Sequence, residues 1–350
     1  MASDTRTEPA RLDREIPIES LAGHFRERLG AGAEIVAATI ASEGMSDDTW
    51  MVDVEVDGTR HELVVRRYRT GGALREETDP ERHFRILAAV PPEIAVPEVL
   101  WYEADGEVAG GPFFVMRRVP GRVVVPWSPE GRRYLAEAGA GPLGEEFIEI
   151  LARIHAIEWR GGQLAFLADE EAGSPDDDGT RRVAAMRDVV ERYQVEPEPV
   201  LVDALNWLEH NKPAQQRTTV IHGDYRSGNV IFGEDRINAV LDWEFARIGD
   251  PASDLAWLLG RTNRMGSDLA CYMMERERVL ELYERHAGWV PSEESLRFWE
   301  IQKLLFNTGL WMSGEANYLR GETDDLTLVR WSYTLPNMRR MVLDALEEAS

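Results

Sequence analysis

Apolar and polar positions alternate along the first third of the chain and recur every three to four residues along most of the remainder. The runs Trp50-Met51-Val52-Asp53-Val54-Glu55-Val56 and His61-Glu62-Leu63-Val64-Val65 have the period of two expected of half-buried strands. Asp57-Gly58 between them has the chemistry of a tight hairpin turn. Segments 33–42, 49–57 and 60–67, rich in Val, Ile and Thr, therefore predict a small antiparallel sheet. Helices are predicted over 18–29 and 79–89. Further strands follow at 97–103 and 113–119, the second closing at the turn dipeptide Pro120-Gly121. Beyond that point Phe147, Ile148, Ile150, Leu151, Ile154 and His155 mark a helical face, and similar periodicity runs through 198–210, 265–286, 292–315 and 324–348. The pattern predicts an α+β protein: a flexible tail over 1–15, a small β-rich lobe over 16–119 and a larger, mainly helical lobe over 120–350. Residues 169–180, carrying Asp169, Glu170, Glu171, Asp176, Asp177 and Asp178, read as a solvated acidic loop. No internal repeat occurs.

Composition narrows the function. A chain of 350 residues that is 43% hydrophobic can bury a substantial core. Its 39 basic and 63 acidic side chains give a net charge of −24, which repels a phosphate backbone and argues against nucleic acid as a partner. The single cysteine, Cys271, excludes an internal disulfide framework and a multi-cysteine zinc site, and reads as a buried thiol in a reducing compartment. No stretch has the apolar length of a membrane span, and the opening residues lack the apolar core of a signal peptide. A soluble, cytoplasmic protein is expected.

The sharpest chemistry lies in His222-Gly223-Asp224-Tyr225-Arg226-Ser227-Gly228-Asn229, a polar run between the β-branched segments ending at Ile221 and beginning at Val230. A second apolar run, Ala239-Val240-Leu241, ends abruptly in Asp242-Trp243-Glu244. Together they can bring the oxygens of Asp224, Asn229 and Asp242 to one point. Phosphoryl transfer needs such a set: a carboxylate to orient the attacking hydroxyl, and hard oxygen ligands to hold magnesium against the phosphates. Alone, His-Gly-Asp is an ordinary turn tripeptide, and an isolated buried histidine is usually a hydrogen-bonded core residue. Its conjunction with Asn229, Asp242 and Gly249-Asp250-Pro251-Ala252-Ser253-Asp254 carries the reading. Asp250-Pro251 also reads as a helix start, with Asp250 as N-cap and Pro251 at the first position.

These motifs resemble the aminoglycoside phosphotransferase and choline kinase branch of the protein-kinase-like fold, whose catalytic loop reads His-Gly-Asp with Asn five residues after the Asp. The run from His222 to Trp257 is most similar to the kinase domains found with acyl-CoA dehydrogenases. The resemblance implies a bilobal fold, ATP or GTP as phosphoryl donor, Mg2+, and a small-molecule hydroxyl as acceptor. It further implies that Asp224 is the base, Asn229 and Asp242 the metal ligands, and His222 and Asp254 supports, with Asp254 bonding the loop backbone. On the nucleotide side, Gly44 and Ser46 would cover the phosphates, Arg66 stands where relatives place a lysine, and the backbone from Met116 to Val119 would meet adenine. His83 stands where relatives place the glutamate that pairs with that lysine, with Glu81 and Glu77 nearby. Glu244 is an acceptor-side candidate, while Trp243, Trp257, Trp299, Trp311 and Trp331 read chiefly as core packing. Two acceptor classes are consistent with the resemblance, an aminoglycoside-like antibiotic and a hydroxyacyl metabolite. Arg66 and His83 also motivate a different class, a regulatory nucleotide-binding pseudokinase. Oligomeric state has no motif.

Overall fold

The computed structural model describes residues 16–41, 48–68, 79–170, 173–323 and 326–349. The tail over 1–15, the loop containing Gly44 and Ser46, and Glu77 lie outside the described residues. Helix α1 (Ile18–Leu29) precedes strands β1 (Glu34–Ile40), β2 (Asp48–Val56) and β3 (Thr59–Arg67). Helix α2 (Pro80–Ala89) then leads to β4 (Val99–Glu103) and β5 (Phe113–Arg117). The five strands form one antiparallel sheet in the order β1-β2-β3-β5-β4. The β2–β3 hairpin turns at Asp57 and Gly58, whose φ angles of 50° and 80° explain why this dipeptide is used there.

Alternation assigns the two faces of the sheet. Trp50, Val52, Val54, Leu63, Val65, Phe113 and Val115 pack with Leu21 and Phe25 of α1 in one buried cluster. Phe114 points the other way, joining Tyr68 and the α2 residues Ile86 and Leu87 in the larger core. Asp79 caps α2 by accepting the Arg82 N–H at 2.9 Å, and Pro80 occupies the first turn, where its missing N–H costs nothing.

The rest is mainly helical: α3 (Pro129–Ala140), α4 (Pro142–His155), the single turn α5 (Phe166–Asp169), α6 (Asp178–Tyr193) and α7 (Pro199–His210). Four short strands follow, β6 (Thr219–Ile221), β7 (Val230–Phe232), β8 (Ile237–Val240) and β9 (Arg247–Gly249), paired antiparallel as β6 with β9 and β7 with β8. Helices α8 (Ala252–Leu259), α9 (Arg261–Arg264), α10 (Arg276–Ala287), α11 (Glu293–Leu319), α12 (Leu326–Val329) and α13 (Leu335–Ala349) complete the chain. No helix among the described residues is long and apolar enough to cross a membrane.

Four local expectations are corrected. The helical pattern over 265–286 becomes a helix only from Arg276; Met265, Cys271 and Tyr272 adopt left-handed φ angles of 44°, 49° and 60° in an irregular segment before it. Residues 270–274 are all buried, and a short continuous apolar run cannot be assigned to a helix by period alone. The pattern over 324–348 is interrupted by a 3-10 turn at Ser332–Thr334, and α13 starts only at Leu335. The acidic stretch 169–180 is not uniformly solvated: Asp178 opens α6, is fully buried, and pairs with Arg247 at 3.1 Å. Helix α8 begins one residue later than the Asp250 cap implied, although Asp250 Oδ1 still accepts the Ala252 N–H at 2.9 Å. Cys271 is buried as expected, and burial pushes its thiol pKa up to about 12.

Candidate active site

Strand β6 leads directly into His222 and Gly223, both buried, and Asp224, which is half-buried. Gly223 has φ +88°, and a Cβ there would lie 2.5 Å from the Phe245 carbonyl oxygen, so the turn requires glycine. The fully buried Asp254 on α8 accepts the backbone N–H of His222 at 2.7 Å and of Gly223 at 2.8 Å. His155 Nε2 lies 3.3 Å from the same carboxylate, and its Nδ1 lies 2.7 Å from the Tyr283 hydroxyl. Burial pushes the Asp254 carboxyl up, but the hydrogen bond and Coulomb interaction with His155, with help from Lys303, hold it well below the usual carboxylate range. Asp254 is thus a buried carboxylate that fixes two consecutive loop amides.

His222 is buried, and burial lowers its pKa against the opposing charge of Asp254. As a neutral ring it donates from Nε2 to the Leu241 carbonyl at 2.8 Å and accepts at Nδ1 from the Asp224 N–H at 3.2 Å. It therefore ties the loop to the residue preceding Asp242. The Leu241 N–H donates in turn to the Asn229 carbonyl at 2.8 Å. This backbone frame ties Asp224, Asn229 and Asp242 together, and the side chains of Asn229 and Asp224 are bonded to each other as well.

Asp224 is surrounded by donors. Trp257 Nε1 reaches its Oδ1 at 2.6 Å, Arg226 Nε the same oxygen at 3.2 Å, and Asn229 Nδ2 its Oδ2 at 2.6 Å. The charge of Asp224 raises the Arg226 pKa further, keeping the guanidinium charged. Behind the loop, Lys303 of α11 is 5% exposed and donates to the Gly223 carbonyl at 2.8 Å. Burial, assisted by Arg247, brings its pKa down to about 8 against the pull of Asp254 and Asp224.

Asp242 follows β8 at φ 58°, a left-handed conformation that aspartate tolerates better than bulkier residues. Arg66 of β3 reaches across to it, with Nη1 2.6 Å from Asp242 Oδ1 and Nη2 3.4 Å from Glu244 Oε2. Burial acts to raise the Asp242 pKa, and the charge and hydrogen bond of Arg66 outweigh it and lower it. His83, 3% exposed, turns to Tyr68, whose hydroxyl lies 2.6 Å from its Nδ1. Burial, then the nearby Arg66 charge, pushes the His83 pKa well down, so the ring is neutral. Met116 pairs with Val64 and Val99 inside the sheet, and Val119 lies just beyond the end of β5.

Reasoning from sequence missed Trp257, Arg226, Lys303 and Arg82 as members of this cluster. Two carried usable signals. Trp257 lies three residues after Asp254 on one helix, so both can face the loop, and Lys303 is a lone charge within the apolar run Ile301 to Phe306. Nothing in the sequence marks Arg82, which donates to the Glu244 carbonyl at 3.1 Å and the Ala246 carbonyl at 2.6 Å.

The pattern of the family described as "Phosphotransferase enzyme family" matches residues 37–299. Mouse acyl-CoA dehydrogenase family member 10 is 28% identical over 255 residues, covering 72% of this chain and 23% of that protein. The chain spans only 23% and 40% of the first two curated relatives it matches. Among solved structures, a Ralstonia eutropha protein assigned to the aminoglycoside phosphotransferases superposes with a TM-score of 0.67 at 20% identity, covering 95% of this chain and 99% of the other. The streptomycin–ATP–APH(2")-IIa ternary complex superposes with a TM-score of 0.54 at 17% identity, covering 83% and 89%. At these identities the likeness is one of fold: an antiparallel sheet followed by a mainly helical region, as in kinase-like phosphotransferases.

Proposed function

Because the chain belongs to the phosphotransferase enzyme family, we propose that it transfers the terminal phosphoryl group of ATP to a hydroxyl of a small molecule, with Asp224 as the base. The observation that carries this reading is the fixing of the Asp224 carboxylate by Trp257, Arg226 and Asn229 beside Asp242. Held in one orientation, it can accept a hydrogen bond from the acceptor hydroxyl and align that oxygen for attack. As the new P–O bond forms and the bond to the ADP oxygen breaks, the hydroxyl proton passes to Asp224. Arg66 and Arg226 supply positive charge where the phosphates would lie.

Asn229 and Asp242 present hard oxygen donors, a set suited to magnesium. No cluster of three or more His, Cys, Asp or Glu side chains among the described residues could hold a metal ion by itself. Magnesium is commonly bound through one or two protein oxygens and substrate phosphates rather than by an all-protein cage. When bound, magnesium would neutralise phosphate charge; Asn229 Nδ2 already faces Asp224, leaving its amide oxygen for the cation.

For the acceptor, the acids near the site that would attract a polycation are already engaged. Asp254 holds loop amides, Asp250 bonds Trp299 and the start of α8, and Glu244 faces Arg66. Aromatic surface is also near: the Trp257 indole bonds Asp224 directly, and Phe245, one residue after Glu244, packs edge-to-face on Phe306. This favours a hydroxyacyl-type acceptor over an aminoglycoside. The test is ADP release with Mg-ATP across hydroxyacyl-CoAs, aminoglycosides, macrolides and sugars, with Asp224→Ala as control. Turnover that survives Asp224→Ala sinks the assignment of the base.

The Arg66–Asp242 pair supports a second reading, a nucleotide-binding module without transfer, because it engages the carboxylate a metal would use. Calorimetry showing Mg-ATP binding together with no phosphoryl transfer in single turnover on any acceptor of the panel would favour it.

A further inference from the structure

Helix α2 carries the buried His83, whose ring is turned toward Tyr68 and packed edge-on against Phe114 at 5.3 Å. Arg66 meets an acid from elsewhere. Glu244, two residues after Asp242, lies 3.4 Å from its Nη2, and the two side chains are only 14% and 20% exposed. Helix α2 still participates indirectly, since Arg82 donates to the carbonyls of Glu244 and Ala246 and clamps the turn that carries the acid. Arg82 is itself anchored by Glu170 at 2.7 Å.

Resting on the reading of this cleft as a nucleotide site, we propose that Glu244 is the positioning residue for Arg66, orienting its guanidinium toward the donor phosphates from the turn after Asp242. The residue types suit this arrangement. A guanidinium is a planar fork that can contact two carboxylates at once, whereas an ammonium is a single point. Arg66 uses this fork on Asp242 with one nitrogen and on Glu244 with the other. Asp242 is the partner a divalent cation would share, and Glu244 is a second acid that can stay with Arg66 when Asp242 is engaged elsewhere. Glu244 thereby acts on the nucleotide side and not on the acceptor.

Calorimetric binding of Mg-ATP to wild type, Glu244→Gln, Arg66→Ala and the double variant tests this, with thermal melts to establish that each is folded. A charge-assisted contact of this kind predicts roughly ten- to hundredfold weaker ATP binding for Glu244→Gln. In the Arg66→Ala background the second substitution should add almost nothing, because Glu244 acts through Arg66. Glu244→Asp, which keeps the charge, should recover part of the loss. Additive losses in the double variant, or ATP affinity unchanged while the acceptor KM rises, would overturn the assignment. Wild type that binds neither Mg-ATP nor Mg-GTP overturns the phosphotransferase reading itself, an outcome distinct from additive losses in a protein that binds.

Discussion

Trp257 donates its indole N–H to Oδ1 of Asp224 at 2.6 Å, from the same helix on which Asp254 holds the two amides preceding Asp224. One helix therefore fixes both the backbone of the loop and the carboxylate at its tip. The contact also divides the work of the two carboxylate oxygens, with Trp257 on Oδ1 and Asn229 on Oδ2.

Trp257→Phe keeps most of the ring and removes the donor. A hydrogen bond to a charged acceptor contributes about 1.5–3 kcal/mol, so kcat should fall roughly ten- to hundredfold with little change in thermal midpoint. Steady-state kinetics beside a melting curve provide the check. An unchanged kcat would mean that Asn229 and Arg226 suffice to orient Asp224.

Asp254→Asn should be a stability variant first, costing about 3–5 kcal/mol at neutral pH because it breaks a buried charged network. The Asp254 pKa is depressed in the fold, so its contribution is present above the ordinary carboxylate value of 3.8 and fades as pH falls through the lower folded value. The difference between wild type and Asp254→Asn in urea unfolding should therefore shrink in acid, below about pH 4. A constant difference down to pH 2 would refute the charge-based account.

Lys303 gives the opposite window. Its pKa falls from 10.5 to about 8 on burial, so the unfolded chain holds more protons between those values and folding becomes more favourable as pH rises through them. Relative to Lys303→Met, wild type should gain about 3 kcal/mol between pH 8 and pH 10.5, measured by denaturant unfolding at each pH. Parallel stability curves for the two proteins would show that the ammonium is not buried at Gly223.

The hairpin at Asp57-Gly58, the strands β2 and β3, the helix over 79–89 and the polar loop from His222 to Asn229 were all legible in the sequence. Each rests on interactions within a few residues: alternation against one core, a turn needing positive φ, a helical period. The sequence also marked Asp224, Asn229 and Asp242 as a group, since their chemistry is compressed into one short stretch. It could not follow the segment before Arg276, where burial of all of residues 270–274 left no helical period to read, nor the burial of Asp178, which depends on Arg247 far along the chain. The partners of Arg66 likewise were decided by the tertiary structure. Glu244 and Asp242 are separated from it by 178 and 176 residues, and only the docking of β3 against the turn after β8 brings a guanidinium and two carboxylates within reach. Local pattern encodes which residues can do chemistry; long-range packing fixes which of them face one another, because side-chain reach is a few ångströms and sequence distance carries no information at that scale.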